Sequence, residues 1–244
     1  MINIVIPMAG LGSRFSKSGY SVPKPLIEIG NKTMIETVIN NLTPDRQHKF
    51  IFICQIQHER LFKISTLLKK YTKNCNIVFI DGLTDGAACT VLEAQKYFNN
   101  DSPMMIANCD QYIDFDINNY LDEWLESDKD GYIMTMKAND PKWSYIGLDK
   151  NNVVYKVIEK EVISDEATVG IYNFKTGRDF IKAAKKMIKK NDRVNNEFYV
   201  APVYNYMIKN KLKVGYFNIG SVGKGMHGLG TPEDLEDFLN NFKI

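Results

Sequence analysis

Short runs of apolar residues alternate with segments of helical period along the first half of the chain. The clearest runs are Ile2–Pro7, Phe50–Cys54, Ile77–Ile80 and Pro103–Ala107. They are apolar throughout rather than at every second position, which is typical of strands buried on both faces of a sheet. The segments of helical period between them are Thr33–Leu42, Glu59–Tyr71 and Ala87–Phe98. Together these patterns predict an α/β fold with a mainly parallel sheet flanked by helices.

The pattern changes beyond about residue 131, where strand-like runs follow one another with short connections. These runs are Tyr132–Lys137, Tyr145–Leu148, Val153–Val157 and Val169–Phe174. Short connections favour antiparallel pairing, so we expect the sheet to be mixed. Two further helices are predicted, over Gly177–Lys190 and from Thr231 onwards, where threonine, proline and early acidic residues form a helix start. We expect the second of these to pack back on the domain.

The composition is that of an ordinary globular protein, with 44% hydrophobic and 25% charged residues in 244. No repeat or linker divides the chain, so we predict one domain over residues 1–244.

The net charge of +2 gives no strong attraction to polyanions, and we expect no nucleic-acid partner. A row of lysines on the helix Gly177–Lys190 is therefore interpreted as solvated surface. Four scattered cysteines and the lack of a bilayer-length apolar run predict a cytoplasmic protein without a membrane partner.

The segment after the first predicted strand carries the strongest chemical signal. Gly10 and Gly12 let the backbone approach a ligand closely, so that successive N–H groups can face phosphate oxygens. A dinucleotide-binding motif would need a third glycine where Phe15 stands, and no Walker A lysine follows. Instead, Arg14 provides a fixed cation suited to pyrophosphate. Ten residues further on, two prolines flank Lys24 and stiffen the chain, so that its ammonium can be aimed.

A carboxylate follows the strand Pro103–Ala107. Asp110 lies just past the end of this strand, and ligands of α/β sheets bind at the carboxyl ends of strands. Magnesium takes one or two protein carboxylates and completes its coordination with phosphate oxygens and water. We therefore predict Asp110 as a ligand of Mg²⁺. Asp116 is interpreted more simply as the N-cap of the next helix.

Several of these segments occur together in one known family. Ile6–Arg14 (IPMAGLGSR) followed by Pro23–Leu26 (PKPL) resembles the signature of the sugar-phosphate nucleotidyltransferases, also called nucleoside-diphosphate-sugar pyrophosphorylases. The resemblance extends to Asp85–Ala88 as a base-pocket segment, Glu159–Lys160 as an E-K element and Gly170–Tyr172 as the following strand. The segments NEFYVAPVYN and HGLGTPEDL resemble short capsule-locus members, some of which are cytidylyltransferases acting on non-glycosyl phosphates.

The resemblance implies a Rossmann-like, GT-A type single domain, without room for an appended β-helix domain, and a Mg²⁺-dependent reaction. An acceptor phosphate would attack the α-phosphorus of a nucleoside triphosphate, with CTP favoured, and pyrophosphate would leave. Arg14 is implied to hold pyrophosphate, Lys24 to stabilise the α-phosphate and Lys160 to hold the acceptor phosphate. The implied nucleotide-binding residues are Met8, Ala9, Gly10, Leu11, Gly12, Arg14, Gln55, Gly86 and Ala87. The implied acceptor-binding residues are Tyr145, Glu159, Lys160, Glu197 and Tyr199. Capsule or surface polysaccharide precursors are the expected products, and a homodimer or other small homo-oligomer is the expected assembly.

Two positions depart from the family pattern. Many relatives hold the metal with a second aspartate in a D-x-G-T segment, and Gly228 occupies that aspartate's position here. Either Asp110 holds the metal together with water, or His227 substitutes, although a neutral imidazole is a poor magnesium ligand. We favour a role for His227 in the base pocket, the acceptor site or the structure. Ala87 replaces the usual threonine of the base pocket and leaves the base open, with Gln55 and Gln57 as candidates for contacts to a pyrimidine edge.

Two other classes of protein remain open on the sequence. A GT-A glycosyltransferase shares the expected fold, and Asn108–Asp110 is a degraded version of its D-x-D metal motif. Glycosyltransferases do not expel pyrophosphate, however, and lack the pairing of G-x-G-x-R with P-K-P. A non-catalytic nucleotide sensor would fit the missing second acid, but not the joint presence of Arg14, Lys24, Asp110 and Lys160.

Overall fold

A computed structural model describes residues 1–242 of the chain. Its strands are β1 (Ile2–Pro7), β2 (Glu28–Ile29), β3 (Lys32–Thr33), β4 (His48–Gln55), β5 (Cys75–Ile80), β6 (Met104–Ala107), β7 (Gln111–Ile113), β8 (Gly131–Lys137), β9 (Ser144–Leu148), β10 (Val154–Glu159), β11 (Glu166–Phe174), β12 (Val214–Val222) and β13 (Gly225–Gly228). Its α-helices are α1 (Ser13–Lys17), α2 (Met34–Leu42), α3 (Ile56–Phe62), α4 (Ile64–Tyr71), α5 (Ala87–Glu93), α6 (Ile117–Glu126), α7 (Gly177–Lys189), α8 (Val203–Ile208) and α9 (Pro232–Asn241). Within these residues, no helix combines the length and the apolar character needed to span a membrane.

An eleven-stranded sheet organises the fold. Its main order is β5-β4-β1-β6-β11-β8-β12-β13-β7, and β9 pairs with both β11 and β10. Strands β5, β4, β1 and β6 are parallel, whereas β11 runs antiparallel to both of its neighbours. The predicted α/β architecture, a mixed and mainly parallel sheet flanked by helices, is confirmed.

The continuous apolar runs bury both faces of the sheet, as the sequence predicts. In β1, Ile4 and Ile6 belong to the core on one face, while Val5 belongs to the core on the other. Helices α2, α4 and α6 cover the first face, and α5, α7 and α8 cover the second. A third cluster joins Leu235 and Phe238 of α9 to Phe15 of α1, so the C-terminal helix packs on the domain as expected.

The helix predicted over Glu59–Tyr71 is wrong in one respect, because the structure divides it into α3 and α4. Lys63 adopts a left-handed conformation between them, with φ of 51°. The Glu59 carboxylate explains the break, since it accepts hydrogen bonds from both the backbone N–H and the hydroxyl of Ser65, each 2.9 Å long. A side chain that caps the start of α4 in this way offers the backbone an alternative to continuing α3.

Other boundaries differ where local propensity and packing disagree. The helix predicted to run to Phe98 ends at Glu93, and a separate 3-10 turn follows it. The sequence pattern does not predict strands β7, β12 and β13 or helix α8. Helix α8 has the sequence VYNYMI, whose aromatic and β-branched residues suit a strand by propensity but pack here as a short helix.

The predicted cap is confirmed, since the Asp116 carboxylate accepts a 2.8 Å hydrogen bond from the N–H of Asn118. The lysine row of α7 is exposed, as expected of a solvated surface; its members are Lys182, Lys185, Lys186, Lys189 and Lys190.

Candidate functional site

The carboxyl ends of the four parallel strands bring distant parts of the chain to one edge of the sheet. The loop 8–12 follows β1, Gln55 ends β4, the loop 81–86 follows β5, and Asp110 lies just past β6. The parallel registers of these strands place the four segments side by side. This edge is where α/β sheets bind ligands.

Gly12, at the end of the loop 8–12, packs against Lys24. Its φ of 60° is left-handed, and a Cβ at this position would lie 3.0 Å from the Cβ of Lys24. The absence of a side chain therefore admits the stem of Lys24 beside the loop. The Lys24 ammonium then donates a hydrogen bond to Oδ2 of Asp110, forming an ion pair. Burial lowers the pKa of Lys24, but the carboxylate of Asp110 outweighs this effect and the pKa is raised overall.

A cavity of about 400 Å³ opens between the loop 8–12 and the start of α5, and we call it the loop cavity. Its lining residues are Pro7, Ala9, Gly10, Leu11, Gly12, Ser13, Leu83, Thr84, Gly86, Ala87, Thr90 and Glu197. The hydroxyls of Thr84 and Thr90 lie 2.6 Å apart, so one donates to the other, and the carbonyl of Gly86 lies within 3.1 and 3.3 Å of them to accept the remaining proton. This network fixes the rim of the cavity. Six of the nine predicted nucleotide-binding residues line this cavity.

Gln55 braces the loop cavity rather than facing into it. Its side chain is 6% exposed, and Nε2 donates to the carbonyls of Ala9 (2.7 Å) and Gly82 (2.8 Å). Both amide protons are thus engaged in joining the two loops. Met8 is buried in the core and does not line the loop cavity, and Gln57 is exposed on α3.

A second cavity of about 190 Å³, here the tyrosine cavity, adjoins the first at Ala87. Its lining residues are Ala87, Asn108, Gln111, Lys142, Trp143, Ser144, Glu159, Thr168, Val169, Gly170, Tyr172, Tyr199, Val200 and Ala201. Glu159 is 8% exposed and accepts a hydrogen bond from the hydroxyl of Ser144, and burial raises its pKa. At the rim, Nζ of Lys160 donates to the Tyr199 hydroxyl over 2.9 Å, which raises the pKa of Lys160. The cavity therefore combines a buried carboxyl with an exposed cation.

A third cavity of about 280 Å³ contains the charged groups, and we call it the carboxylate cavity. Its lining residues are Arg14, Asn108, Asp110, Gln111, Lys142, Trp143, Met226, Gly228, Gly230, Thr231 and Asp234. Asn108, Gln111, Lys142 and Trp143 also line the tyrosine cavity, so the two spaces adjoin. Oδ2 of Asp110 and Oδ2 of Asp234 both border the space beside Gly230, 3.1 and 3.9 Å from where a Cβ of that residue would lie. Carboxylate oxygens around a space left free by glycine fit a hard divalent cation such as Mg²⁺.

Two of the predicted acceptor-binding residues, Tyr145 and Glu197, lie outside the tyrosine cavity, and the structure also locates His227. Tyr145 is fully buried, and its hydroxyl donates to the Asp140 carbonyl over 2.9 Å, so the structure does not bring it into the tyrosine cavity. Glu197 lines the loop cavity instead of the tyrosine cavity. His227 is 8% exposed and packs against Phe242, with ring centroids 4.5 Å apart, and burial lowers its pKa. This packing supports the structural role for His227.

Sequence reasoning missed several residues of these walls. Lys142 and Trp143 line both the tyrosine and the carboxylate cavities, and Gln111 follows directly after Asp110. Their positions in the sequence match no motif. Asp234 was interpreted only as an early acidic residue of the last helix, although Gly228 and Gly230 before it could have indicated space for a neighbouring side chain.

The comparison with known proteins agrees with this geometry. The model of the Nucleotidyl transferase family matches residues 4–239. A nucleoside-diphosphate-sugar pyrophosphorylase from Vibrio cholerae RC9 superposes with a TM-score of 0.83 at 26% identity, covering 97% of this chain and 99% of that one. The inositol-1-phosphate CTP transferase of T. maritima has the same fold, with a TM-score of 0.76 at 12% identity, covering 98% of this chain and 95% of that one.

Among curated proteins, the mannose-1-phosphate guanyltransferase of Debaryomyces hansenii is 25% identical over 177 residues, covering 69% of this chain and 48% of the relative. The chain thus spans about half the length of the curated relatives it matches. The family match, by contrast, extends over nearly the whole chain and includes the loop 8–12, Lys24, Asp110 and Asp234. On this basis, the chain belongs to the Nucleotidyl transferase family.

Proposed function

We propose that this protein transfers a nucleotidyl group from a nucleoside triphosphate to a small phosphorylated acceptor. The observation that carries the proposal is the position of Lys24. Its stem lies against Gly12 of the loop cavity, and its ammonium lies on Asp110 of the carboxylate cavity. One cation thus links a loop suited to phosphates with a carboxylate suited to a metal.

In the reaction, an oxygen of the acceptor phosphate forms a bond to the α-phosphorus. The bond from this phosphorus to the bridging oxygen of the β-phosphate breaks, and pyrophosphate leaves with that electron pair. Such a transfer depends on positioning and charge neutralisation more than on covalent help. The N–H groups of the loop 8–12 and Arg14 hold the departing pyrophosphate, and Lys24 stabilises charge on the α-phosphate.

The tyrosine cavity is proposed to hold the acceptor. Lys160 at its rim contacts the acceptor phosphate, while Glu159 and Tyr199 contact the remainder of the molecule. The raised pKa of Glu159 suits a carboxyl that meets hydroxyl or amine groups in a poorly solvated wall. Asp110 holds Mg²⁺, which when bound neutralises charge on the phosphates.

We propose CTP as the preferred nucleotide and a capsule or surface polysaccharide precursor as the product. Support comes from the segments NEFYVAPVYN and HGLGTPEDL, which resemble short capsule-locus cytidylyltransferases. The loop cavity agrees with a base pocket that departs from the common pattern, because Ala87 places a methyl group in its wall where a hydroxyl is usual.

The test is release of pyrophosphate, measured with Mg²⁺ and each of CTP, UTP, dTTP, GTP and ATP. The acceptors would be sugar 1-phosphates, polyol phosphates, phosphocholine and phosphoglutamine. We expect turnover with one triphosphate, and a loss of roughly 100- to 1,000-fold in Lys24→Met, as for other groups that stabilise developing charge. The matched control is Lys17→Met, an exposed lysine of α1, which should keep full activity. Consumption of a nucleotide sugar, or triphosphate binding without turnover, would overturn the proposal.

A further inference from the structure

We infer that Asp234 is a second carboxylate ligand of the divalent cation held by Asp110, and that it reaches the cation from the first turn of α9. The inference deepens the proposed function, on which it rests for the role of the cation. It assigns a metal ligand to an element that the sequence gives no reason to choose. It also explains how the site compensates for a glycine at position 228.

The two carboxylates converge on a space that only glycine leaves free. A Cβ at Gly230 would lie 3.1 Å from Oδ2 of Asp110 and 3.9 Å from Oδ2 of Asp234. Both oxygens therefore lie within 4 Å of one point that no side chain fills. Two carboxylates that border one space repel each other, and a cation reduces that repulsion, as the Lys24 ammonium does for Asp110.

The Asp234 carboxylate lies beside Gly228. A Cβ at this position would be in ordinary van der Waals contact with Asp234, 3.4 Å from Cγ and 3.5 Å from Oδ2, so the carboxylate lies next to the position from which an acidic side chain at 228 would extend. Neither Gly228 nor Gly230 adopts a positive φ. Backbone conformation therefore does not require glycine at either position. At Gly230 the 3.1 Å approach of Oδ2 of Asp110 favours a residue without a side chain.

Helix α9 fixes the direction in which Asp234 points. Leu235 and Phe238 are buried in a cluster with Phe15 of α1, and the hydroxyl of Thr231 accepts a 3.0 Å hydrogen bond from the Asp234 N–H. The helix start is therefore capped by Thr231. The Asp234 side chain makes no hydrogen bond or ion pair with any residue in 1–242, so its carboxylate is available to a ligand.

Two further groups indicate that this cavity receives a charged ligand. The Lys24 ammonium already contacts Asp110 Oδ2, the same oxygen that faces Gly230, so this corner accommodates a cation. Gln111 lines the cavity and is 5% exposed, yet its Nε2 has no partner within residues 1–242. An amide donor without a partner suits an oxygen of a bound phosphate or of metal-bound water.

The experiment is a titration of Mn²⁺ followed by electron paramagnetic resonance, which reports free Mn²⁺ without any turnover. It is run on the full chain, once with Mn²⁺ alone and once with Mn²⁺ and CTP. We expect Asp234→Ala to weaken Mn²⁺ binding at least about tenfold, as removal of groups that support a metal typically does. Glu233→Gln is the matched control, because it removes one charge from an exposed position of the same helical turn and should leave binding unchanged.

A second variant moves the carboxylate to another element, and so distinguishes loss of a metal ligand from loss of folding. Adding Gly228→Asp to Asp234→Ala places the acid on β13 instead of α9, and we expect this double variant to recover most of the affinity. Mn²⁺ affinity in Asp234→Ala within twofold of the unmodified chain, in a protein with unchanged circular dichroism, would overturn the inference. So would a lack of Mn²⁺ binding by the unmodified chain in both conditions.

The outcomes separate this inference from the proposed function. Mn²⁺ binding that depends on Asp234, in a protein that turns over no triphosphate, would reject the transferase proposal and keep the metal site. Full transferase activity, with Mn²⁺ binding that does not change in Asp234→Ala, would keep the transferase proposal and reject Asp234 as a metal ligand.

Discussion

Replacement of Gly86 by alanine should be among the most damaging single changes next to the loop cavity. Gly86 has φ 120° and ψ 174°, a region open essentially only to glycine, and occupying it with another residue costs about 1–3 kcal/mol. A Cβ there would also lie 2.5 Å from the backbone N and 2.7 Å from the backbone O of Phe198. These two atoms form hydrogen bonds of 2.7 Å to Asp85 and 2.9 Å to Ala88, each contributing about 1 kcal/mol. We therefore expect Gly86→Ala to lower the free energy of unfolding by about 3–5 kcal/mol.

Urea unfolding followed by circular dichroism measures this loss, and Gly82→Ala is the matched control. Gly82 also has a positive φ, 81°, but a Cβ there would meet no atom within 4 Å. It should lose only the conformational part, about 1–2 kcal/mol. The difference between the two variants isolates the collision with Phe198. If Gly86→Ala is no less stable than Gly82→Ala, the backbone contact does not carry the energy assigned to it and the reasoning fails.

Three further changes test other parts of the molecule. Burial raises the pKa of Glu159 above its value in the unfolded chain, which is about 4.3. The folded protein therefore favours the protonated carboxyl, and its free energy of unfolding falls as the pH rises through the folded pKa. Glu159→Gln should therefore unfold at higher urea than the unmodified chain at pH 7–8, with the gap closing below about pH 4; an equal gap at both ends contradicts this. Lys63→Gly relieves the left-handed strain between α3 and α4 and should raise the free energy of unfolding by about 0.5–1 kcal/mol, whereas a loss would show that the strain is already compensated. Gly230→Ala places a methyl group 3.1 Å from Oδ2 of Asp110 and should weaken Mn²⁺ binding in the resonance titration, while unchanged affinity would mean that this space is not used.

The sequence predicts the parts of the site that lie close together along the chain. The loop 8–12 and Asp110 follow predicted strands directly, so their place at the sheet edge comes from the parallel order of those strands. Lys24 was found because the surrounding prolines and the preceding glycines form one recognisable pattern. In each case a short segment contains the information needed.

Contacts that depend on distant packing could not be predicted in the same way. Asp234 reaches the carboxylate cavity because Phe238 packs against Phe15, more than two hundred residues earlier in the chain. The side-chain amide of Gln55 donates to carbonyls of two other loops, 46 and 27 residues away along the chain, and no local pattern encodes that pairing. Burial and hydrogen-bond pairing are properties of the whole fold.

The ion pair between Lys24 and Asp110 has a thermodynamic consequence for the order of binding. A cation that takes Oδ2 of Asp110 would displace the ammonium from that oxygen, and the Lys24 stem would hold the displaced ammonium beside the loop 8–12. A polyphosphate on that loop pairs with the freed ammonium and so recovers the cost of the separation. Each ligand therefore strengthens the binding of the other, and by linkage the factor is the same in both directions. Under the proposed function, we therefore expect Mn²⁺ to bind more tightly in the presence of CTP than alone.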